Sequence, residues 1–462
     1  MLCRAIGLKP HGCQAQPGDV IQIGPGVFRL TDGLSLDVNG VTVRGAGMET
    51  TILDFAGQQG AGEGLLVTSD DVVLRDFGVR DTRGDGIKSK NADRIVYRSI
   101  RVDWTGEPRA TNGSYGVYPV ESDYVLVDGV IVRGASDAGI YVGQSDNIIV
   151  RNSRAEYNVA GIEIENSTRA DVHDNVATKN AGGILVFDLP NLPKKGGHST
   201  RVFNNQIIEN DTPNFAPPGN IVAGVPTGTG VLLMANRNVH VFGNTFDKNQ
   251  TAHVMIVSYT NEIKDDPEYN PLPRDFVIRD NTYGEGGNDP KGRLSPLAAA
   301  LGGKLPAIVW DGVTRYGDKT EDVRIVVREK PEVGFINGFY AARDKDRVWL
   351  THCYGMVGVG RENDENSGGG TELYVVIGQS PRALDRQLTM LGRVVQGMEI
   401  MSAFPRGTGE VGFYKTPGEY QHYADIKVAS DVPPAQRTIA SKKRESGPAS
   451  FFHLSPSAPC SR

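Results

Sequence analysis

Eight short β runs recur along the chain, each closed by a turn-forming residue: Asp76 in VVLRD, Ser99 in IVYRS, Gly129 in VLVDG, Asn152 in IIVRN, Asn175 in DVHDN, Asn205 in VFNN, Asn244 in VFGN and Asn281 in VIRDN. Successive spacings are 23, 30, 23, 23, 30, 39 and 37 residues, a unit of 23 with insertions. A second marker keeps the same step: Gly64, Gly86, Gly116, Gly139, Gly161, Gly183 and Gly230 each precede an alternating strand. Such a unit holds two or three short strands and no 3.6-residue pattern. It cannot bury its apolar side alone, so it must stack on copies of itself. A leucine-rich repeat has a similar period but needs Leu-x-x-Leu-x-Leu, which the sequence lacks. The fold class that follows is all-β, a parallel β-helix.

Each coil of such a solenoid must turn, and the recurring Asn and Gly tolerate the left-handed backbone that turns require. Stacked Asn side chains also bond one another along the axis. The column Asn152, Asn175, Asn205, Asn244 and Asn281 is therefore expected to be scaffold, without chemistry.

In the Gly-Ile strands the side chains alternate, so Ile87, Val117, Ile140, Ile162 and Ile184 are expected to face inward. The next positions, Lys88, Tyr118, Tyr141, Glu163 and Leu185, then face outward, as do Lys90, Val120, Gly143, Glu165 and Phe187 two residues further on. Stacked coils lie about 4.8 Å apart, so these side chains form a ladder on one face. Three insertions border it: WTGEPRATNGS, the Pro-rich NDTPNFAPPGNIVAGVPTG, and LPNLPKKGGHST after the Gly183 strand. Loops placed this way wall binding grooves.

Two chemistries fit that ladder. Lysis or epimerisation of a uronate needs a cation against the substrate carboxylate and a phenol or carboxylate to handle the proton of the adjacent carbon acid. Lys88, Tyr118, Tyr141 and Glu163 supply those types and are the candidate catalytic residues. Glycoside hydrolysis needs two carboxylates, and Glu163 and Glu165, two apart on a strand, place their Cα atoms roughly 6.5–7 Å apart. Asp85, Asp137 and Asp188 stand at strand mouths as substrate-binding candidates, with Trp104, Tyr115, Tyr118 and Tyr141 available to stack on sugar rings. The non-catalytic alternative is a structural or partner-binding solenoid, because polar outward residues are ordinary on a β-helix.

The units GDGIK, YGVYP, DAGIYVGQS, NVAGIEIEN and GGILVFDLP resemble the right-handed parallel β-helix repeat proteins of the pectin-lyase-like superfamily, over about residues 15 to 335. The resemblance implies an exported, periplasmic or secreted protein that binds, and as an enzyme processes, a polysaccharide or oligosaccharide in the manner of uronate lyases and epimerases. The paired-Asp and Gly-His-Gly motifs of polygalacturonases are missing.

Near LPAIVWDGV the period stops, and from about Gly338 GFYAARD, WLTHCYGMVGVGRE, SGGGTELYVVIGQSPRALD and TMLGRVVQGMEIMSAFPRG resemble the C-terminal half of a cyclophilin-type peptidyl-prolyl isomerase. The resemblance places Glu372 where the family has its binding Gln, Tyr374 at the Phe of the proline pocket and Leu384 at a pocket Leu, and implies a proline-containing peptide as ligand. Ala383 and Leu388 replace the usual aromatic and His. The family's catalytic Arg, in a Phe-x-Arg-x-x-x-x-Phe-x-x-Gln context, has no counterpart in the chain. Half of a barrel leaves open strand edges, so weak isomerase activity or none is expected.

The expected division is a leader or cap over 1–14, the β-helix over 15–337, the incomplete cyclophilin-like barrel segment over 338–430, and a disordered tail over 431–462 whose Ser, Pro and charge carry no periodicity. A formal charge of −6 gives no global reason to expect nucleic acid as a partner. No apolar run approaches the roughly 20 residues of a membrane span, and MLCRAIGLKPHGCQAQPGDV has no signal-peptide core. Cys3, Cys13, Cys353 and Cys460 lack metal-ligand spacing and are expected to be free thiols, with a Cys3–Cys13 bridge as the alternative, while His173 and His240 lie far apart in coil order, so neither a metal nor another cofactor is expected.

Overall fold

The computed structural model describes residues 15–60, 62–260, 266–317, 319–320, 324–328, 332–336, 339–343, 347–360, 373–378, 384–386, 388–409, 414–421, 427, 431–433 and 452–453. The expected 1–14 leader, Glu372 and most of the expected 431–462 tail lie outside the described residues. The chain divides into two compact units, Met1–Glu329 and Lys330–Arg462.

The first unit is a parallel β-helix. Each full coil gives one strand to a ten-stranded parallel sheet and two to a nineteen-stranded sheet; Ala138–Gly143 belongs to the former, Asp146–Arg151 and Arg154–Glu156 to the latter. Register is set by the inward column, in which Leu65, Ile87, Val117, Ile140, Ile162, Ile184, Val231, Val254 and Ile308 follow one another strand by strand. The column from Leu65 to Val254 is fully buried in one continuous apolar core. Each such side chain contributes about 1.5–3 kcal/mol on leaving water. A slip of one residue would turn the whole column outward, and the coils therefore stack in one register.

The glycine column has a different cause from the one expected. Gly86, Gly116, Gly139, Gly161 and Gly183 do not adopt left-handed backbone; a Cβ on any of them would meet the carbonyl oxygen of the corresponding glycine one coil on, at 2.5 to 2.9 Å. They are glycines because the coils approach too closely there for a side chain. The left-handed positions are filled largely by other residues, among them Tyr124, Asn147, Arg169, Ser199 and Asn238 at one position of successive coils.

The asparagine column is also offset by one residue at its start. Asn152 is a left-handed turn residue with φ of 51°, equivalent to Asp174, Asn204 and Asp280. The buried ladder instead runs Ser153, Asn175, Asn205, Asn244, Asn281, each Asn amide donating to the next Asn Oδ1 at 2.9–3.0 Å from Asn175 onward. A second ladder, Asn158, Asn180, Asn210 and Asn249, repeats the pattern with amide bonds of 3.0 Å. It ends against His253, a buried imidazole whose pKa burial pushes down to about 4.

In the second unit Glu332–Ile336, Phe339–Arg343, Val348–Leu350 and Phe452–His453 form one antiparallel sheet, and Met356–Val359 pairs with Leu373–Val375 and Met390–Arg393 in another. Cys353, Met356 and Val376 make its small core. Cys353 is disulfide-bonded, which corrects the free-thiol expectation at that position. Among the described residues no helix is long and apolar enough to cross a membrane.

Candidate functional site

The outward face of the ten-stranded sheet carries the ladder in the expected register. Lys88 pairs with Tyr118, Tyr141 with Glu163, and Gly143 with Glu165. Tyr141 is 4% exposed but does not enter the coil interior; it packs in a separate apolar cluster outside the sheet with Tyr115 and Tyr118. The three rings are mutually in contact, with centroids 4.4, 4.7 and 4.8 Å apart. Edge-to-face and tilted aromatic pairs of this kind add about 0.5–1.5 kcal/mol beyond burial. The phenols thus form a rigid floor.

Gly143 makes room for that floor. The Tyr141 ring lies across its backbone, so that the phenol oxygen reaches Glu165 of the next coil and donates to Oε1 at 2.7 Å; a Cβ on Gly143 would overlap the Tyr141 phenol. Gly143→Ala is expected to break this bond and to lower stability by about 1–3 kcal/mol. Thermal unfolding checks it: the same substitution in a Tyr141→Ala background should be nearly neutral.

Around the phenols stand the carboxyls. Asp85 accepts the Tyr115 N–H at 3.3 Å and has Lys88 Nζ at 3.7 Å. Burial raises its pKa to about 6 against the opposing pull of Lys88. Lys88 is shared, with Glu63 at 3.4 Å and the Tyr118 ring centroid at 4.8 Å. Asp137 accepts Asn220 Nδ2 at 2.9 Å, and its pKa rises to about 7, first through burial and then through Glu165 and Asp85. Glu163 is 2% exposed, and its Oε2 has no hydrogen-bond partner. Burial, with Asp137 and Glu165 adding to it, holds its carboxyl well above the usual range. Glu165 is also raised by burial, opposed by the Tyr141 hydroxyl bond. Burial and the neighbouring carboxylates push the Tyr115 and Tyr141 phenols up.

Ser114, Tyr115, Asp137, Glu163, Glu165 and the loop residues Gly219 to Val222 enclose a cleft of about 400 Å³. Carboxyls that cannot all ionise together retain protons near neutral pH, the condition for acid–base work. Among the described residues no group of three or more His, Cys, Asp or Glu side chains is arranged to hold a metal ion.

The structure brings Lys88, Tyr118, Tyr141, Glu163, Asp85, Tyr115, Asp137 and Glu165 to one face, sets Asp188 at the end of the adjoining strand where its charge raises the Glu165 pKa, and leaves Trp104 elsewhere. Trp104 is 4% exposed within the inner core and donates its indole N–H to Thr82 O at 2.8 Å, so its ring is not offered to a sugar. Asp188 binds the Gly197 N–H at 2.8 Å and tethers the 189–200 insertion. Asn220 was not legible beforehand: it sits in an aperiodic Pro-rich insertion, held in place by Asn214, whose amide donates to the carbonyls of Val222 and Val225 at 2.8 and 2.9 Å.

In the second unit the Tyr374 hydroxyl is bonded to His352 Nε2 at 2.6 Å, and His352 Nδ1 lies 3.1 Å from Asp385. Leu384 is 36% exposed, and Glu372 is outside the described residues. The buried His352 that occupies the Tyr374 hydroxyl is a feature the sequence reading did not single out.

No curated protein sequence matches the chain. Similar solved structures include the A-module of mannuronan C-5 epimerase AlgE4 from Azotobacter vinelandii, at 12% identity over 68% of this chain and 87% of that one, with a TM-score of 0.41. An alginate lyase from Paenibacillus sp. str. FPU-7 is similar at 18% identity, 60% and 93% coverage and 0.40. DFA-IIIase from Arthrobacter chlorophenolicus A6 is similar at 13% identity, 71% and 88% coverage and 0.38. Residues 39–210 match the family model described as right handed beta helix region, and residues 308–421 match the cyclophilin type peptidyl-prolyl cis-trans isomerase/CLD, a match that begins upstream of the expected 338. The chain therefore joins a right-handed parallel β-helix to a cyclophilin-type segment.

Proposed function

We propose that the β-helix unit binds a saccharide in the carboxyl-lined cleft and cleaves a glycosidic bond by paired acid–base catalysis. The observation that carries this reading is Glu163: a carboxyl 2% exposed, with one oxygen unpartnered, lining the cleft. Burial disfavours its anion, so it enters the reaction protonated and serves as the acid. Glu165, two residues along the strand and bonded by the Tyr141 hydroxyl, is the base. The glycosidic C–O bond breaks as Glu163 passes its proton to the leaving oxygen; the oxygen of a water bonds the anomeric carbon, and Glu165 takes that water's proton. Exchange of a proton with solvent resets the pair.

Charge decides between this and uronate lysis or epimerisation. Asp85, Asp137, Glu163 and Glu165 share their face with two lysines already engaged by carboxylates, Lys88 within 3.4 Å of Glu63 and 3.7 Å of Asp85, and Lys90 within 3.8 Å of Glu121. A uronate carboxylate would add a further negative charge to carboxyls that already resist ionising together, whereas a neutral sugar meets hydrogen-bonding groups and the half-buried rings of Tyr115 and Tyr118. The uronate route, with Lys88 as the neutralising cation and Tyr118 or Tyr141 handling the proton, is the second reading. We place the activity outside the cytoplasm, where a disulfide such as that of Cys353 persists. For the cyclophilin-type segment, binding of a proline-containing peptide without efficient isomerisation follows from the missing catalytic Arg.

The test is reducing-sugar release from neutral glycans alongside absorbance of unsaturated uronates from alginate, pectate and polygalacturonate. Release from a neutral glycan is expected, falling on the alkaline side as Glu163 loses the proton the acid step needs, a loss that burial holds well above the usual carboxylate range. Unsaturated uronate products would overturn hydrolysis in favour of the second reading.

A further inference from the structure

We infer that the cleft is blind and takes the end of a saccharide chain, removing one sugar residue at a time. This rests on the glycan reading above and adds the mode of attack.

The chemistry of the outward face changes within one coil. Lys88, Tyr118, Tyr141 and Glu163 are followed by Leu185, Leu232, Met255 and Val309, and Glu165 is followed by Phe187, Met234 and Val257. The apolar half is not an open surface. Leu185, Phe187, Leu232, Met234 and Met255 are each at most 6% exposed, packed under Leu189, Val222, Val225 and Tyr269 in one cluster. Those covering residues come from the 189–200 insertion, the Pro-rich insertion and the segment after the Ala252–Val257 strand. A polymer lying along the sheet would have to displace this layer to pass beyond Glu163 and Glu165.

The opposite direction is open. Side-chain exposure rises from the buried Glu163 to 24% at Lys88, 29% at Glu63 and 51% at Lys90. From the Glu163 coil to the Lys88 coil the face runs three coils, roughly 14 Å, enough for a chain segment to lie along it past Tyr115 and Tyr118. The Pro-rich insertion closes a third side, with Asn220 bonded to Asp137 at 2.9 Å. The reacting carboxyls therefore sit on the last polar coil, one rung from the wall. One rung is about 4.8 Å, so at most a single sugar fits on the wall side and the bond cleaved is the terminal one.

Neutral linear hexasaccharides of glucose, xylose, mannose and fructose, and the same chains blocked by O-methylation of the non-reducing terminal sugar and by a p-nitrophenyl glycoside at the other end, test this with the full-length protein. Binding by calorimetry and product length by chromatography are both read. The inference expects unblocked hexamers to bind at least about tenfold tighter than doubly blocked ones and any products to appear first as a monosaccharide and a pentamer. Equal binding of blocked chains, or trimers and tetramers as first products, overturns the blind cleft while leaving the glycan reading standing. Failure of every probe to bind sinks the glycan reading and the inference together.

Discussion

Glu163→Gln is expected to abolish turnover while making the protein more stable at alkaline pH. The catalytic half follows from removing the proton donor: loss of a positioned general acid lowers the rate by about 10²–10⁴-fold. The stability half follows from linkage. The folded-state pKa of Glu163 lies well above its unfolded value near 4.5. Its contribution is therefore fully present below about that pH, where both states hold the proton, and is lost as pH rises, because only the unfolded chain can ionise the group freely. Gln cannot ionise and escapes this penalty. At pH 5 variant and parent should unfold at similar denaturant concentrations; at pH 8 the variant should be favoured by on the order of 1–3 kcal/mol, the ordinary burden of an unpaired buried polar group. A gain that does not change with pH, or undiminished turnover, would sink the assignment of Glu163. Active sites commonly trade stability for function in this way.

The period, the inward column and the outward ladder from Lys88 to Glu165 were legible because side-chain alternation is a local property that insertions do not disturb. The reason for the glycines was not legible: close approach of coils and left-handed backbone both select glycine, and only coordinates separate them. The second asparagine ladder was hidden because its members, Asn158, Asn180, Asn210 and Asn249, lie outside the β runs used to set the phase, although they keep the same step. The wall that ends the cleft did leave a signal. ILVF at 184–187, VLLM at 231–234 and VMIV at 254–257 are unbroken apolar runs, and a strand apolar at every position is buried on both faces. Applied there, that rule marks where the outward face stops being a surface. What covers it remained outside reach, since loops such as 211–228 are shaped by single contacts like Asn214 to Val225 rather than by periodicity.

Asn205→Ala is expected to destabilise the β-helix by about 3–5 kcal/mol, while Asn152→Ala costs about 1 kcal/mol or less. The two residues look alike in sequence, each closing a β run. Asn205 is 1% exposed. Its Oδ1 receives both the backbone N–H and the side-chain amide of Asn175 at 3.0 Å, and its own amide donates to Val172 O and Asn244 Oδ1 at 2.9 Å. Alanine strips partners from groups on the two neighbouring coils, all buried, and water cannot replace them. Asn152 instead occupies a left-handed turn and reaches only Asp128, at 2.8 Å on the outer side of the coil. There Asn152→Gly should be close to neutral, because glycine accepts the same backbone. Because a solenoid couples mainly to its nearest neighbours, hydrogen exchange in the Asn205→Ala variant should accelerate most in the coils of Asn175 and Asn244. If the two alanine variants unfold together, the buried ladder contributes no more than an ordinary turn, and the stacking account of how these coils hold their register fails.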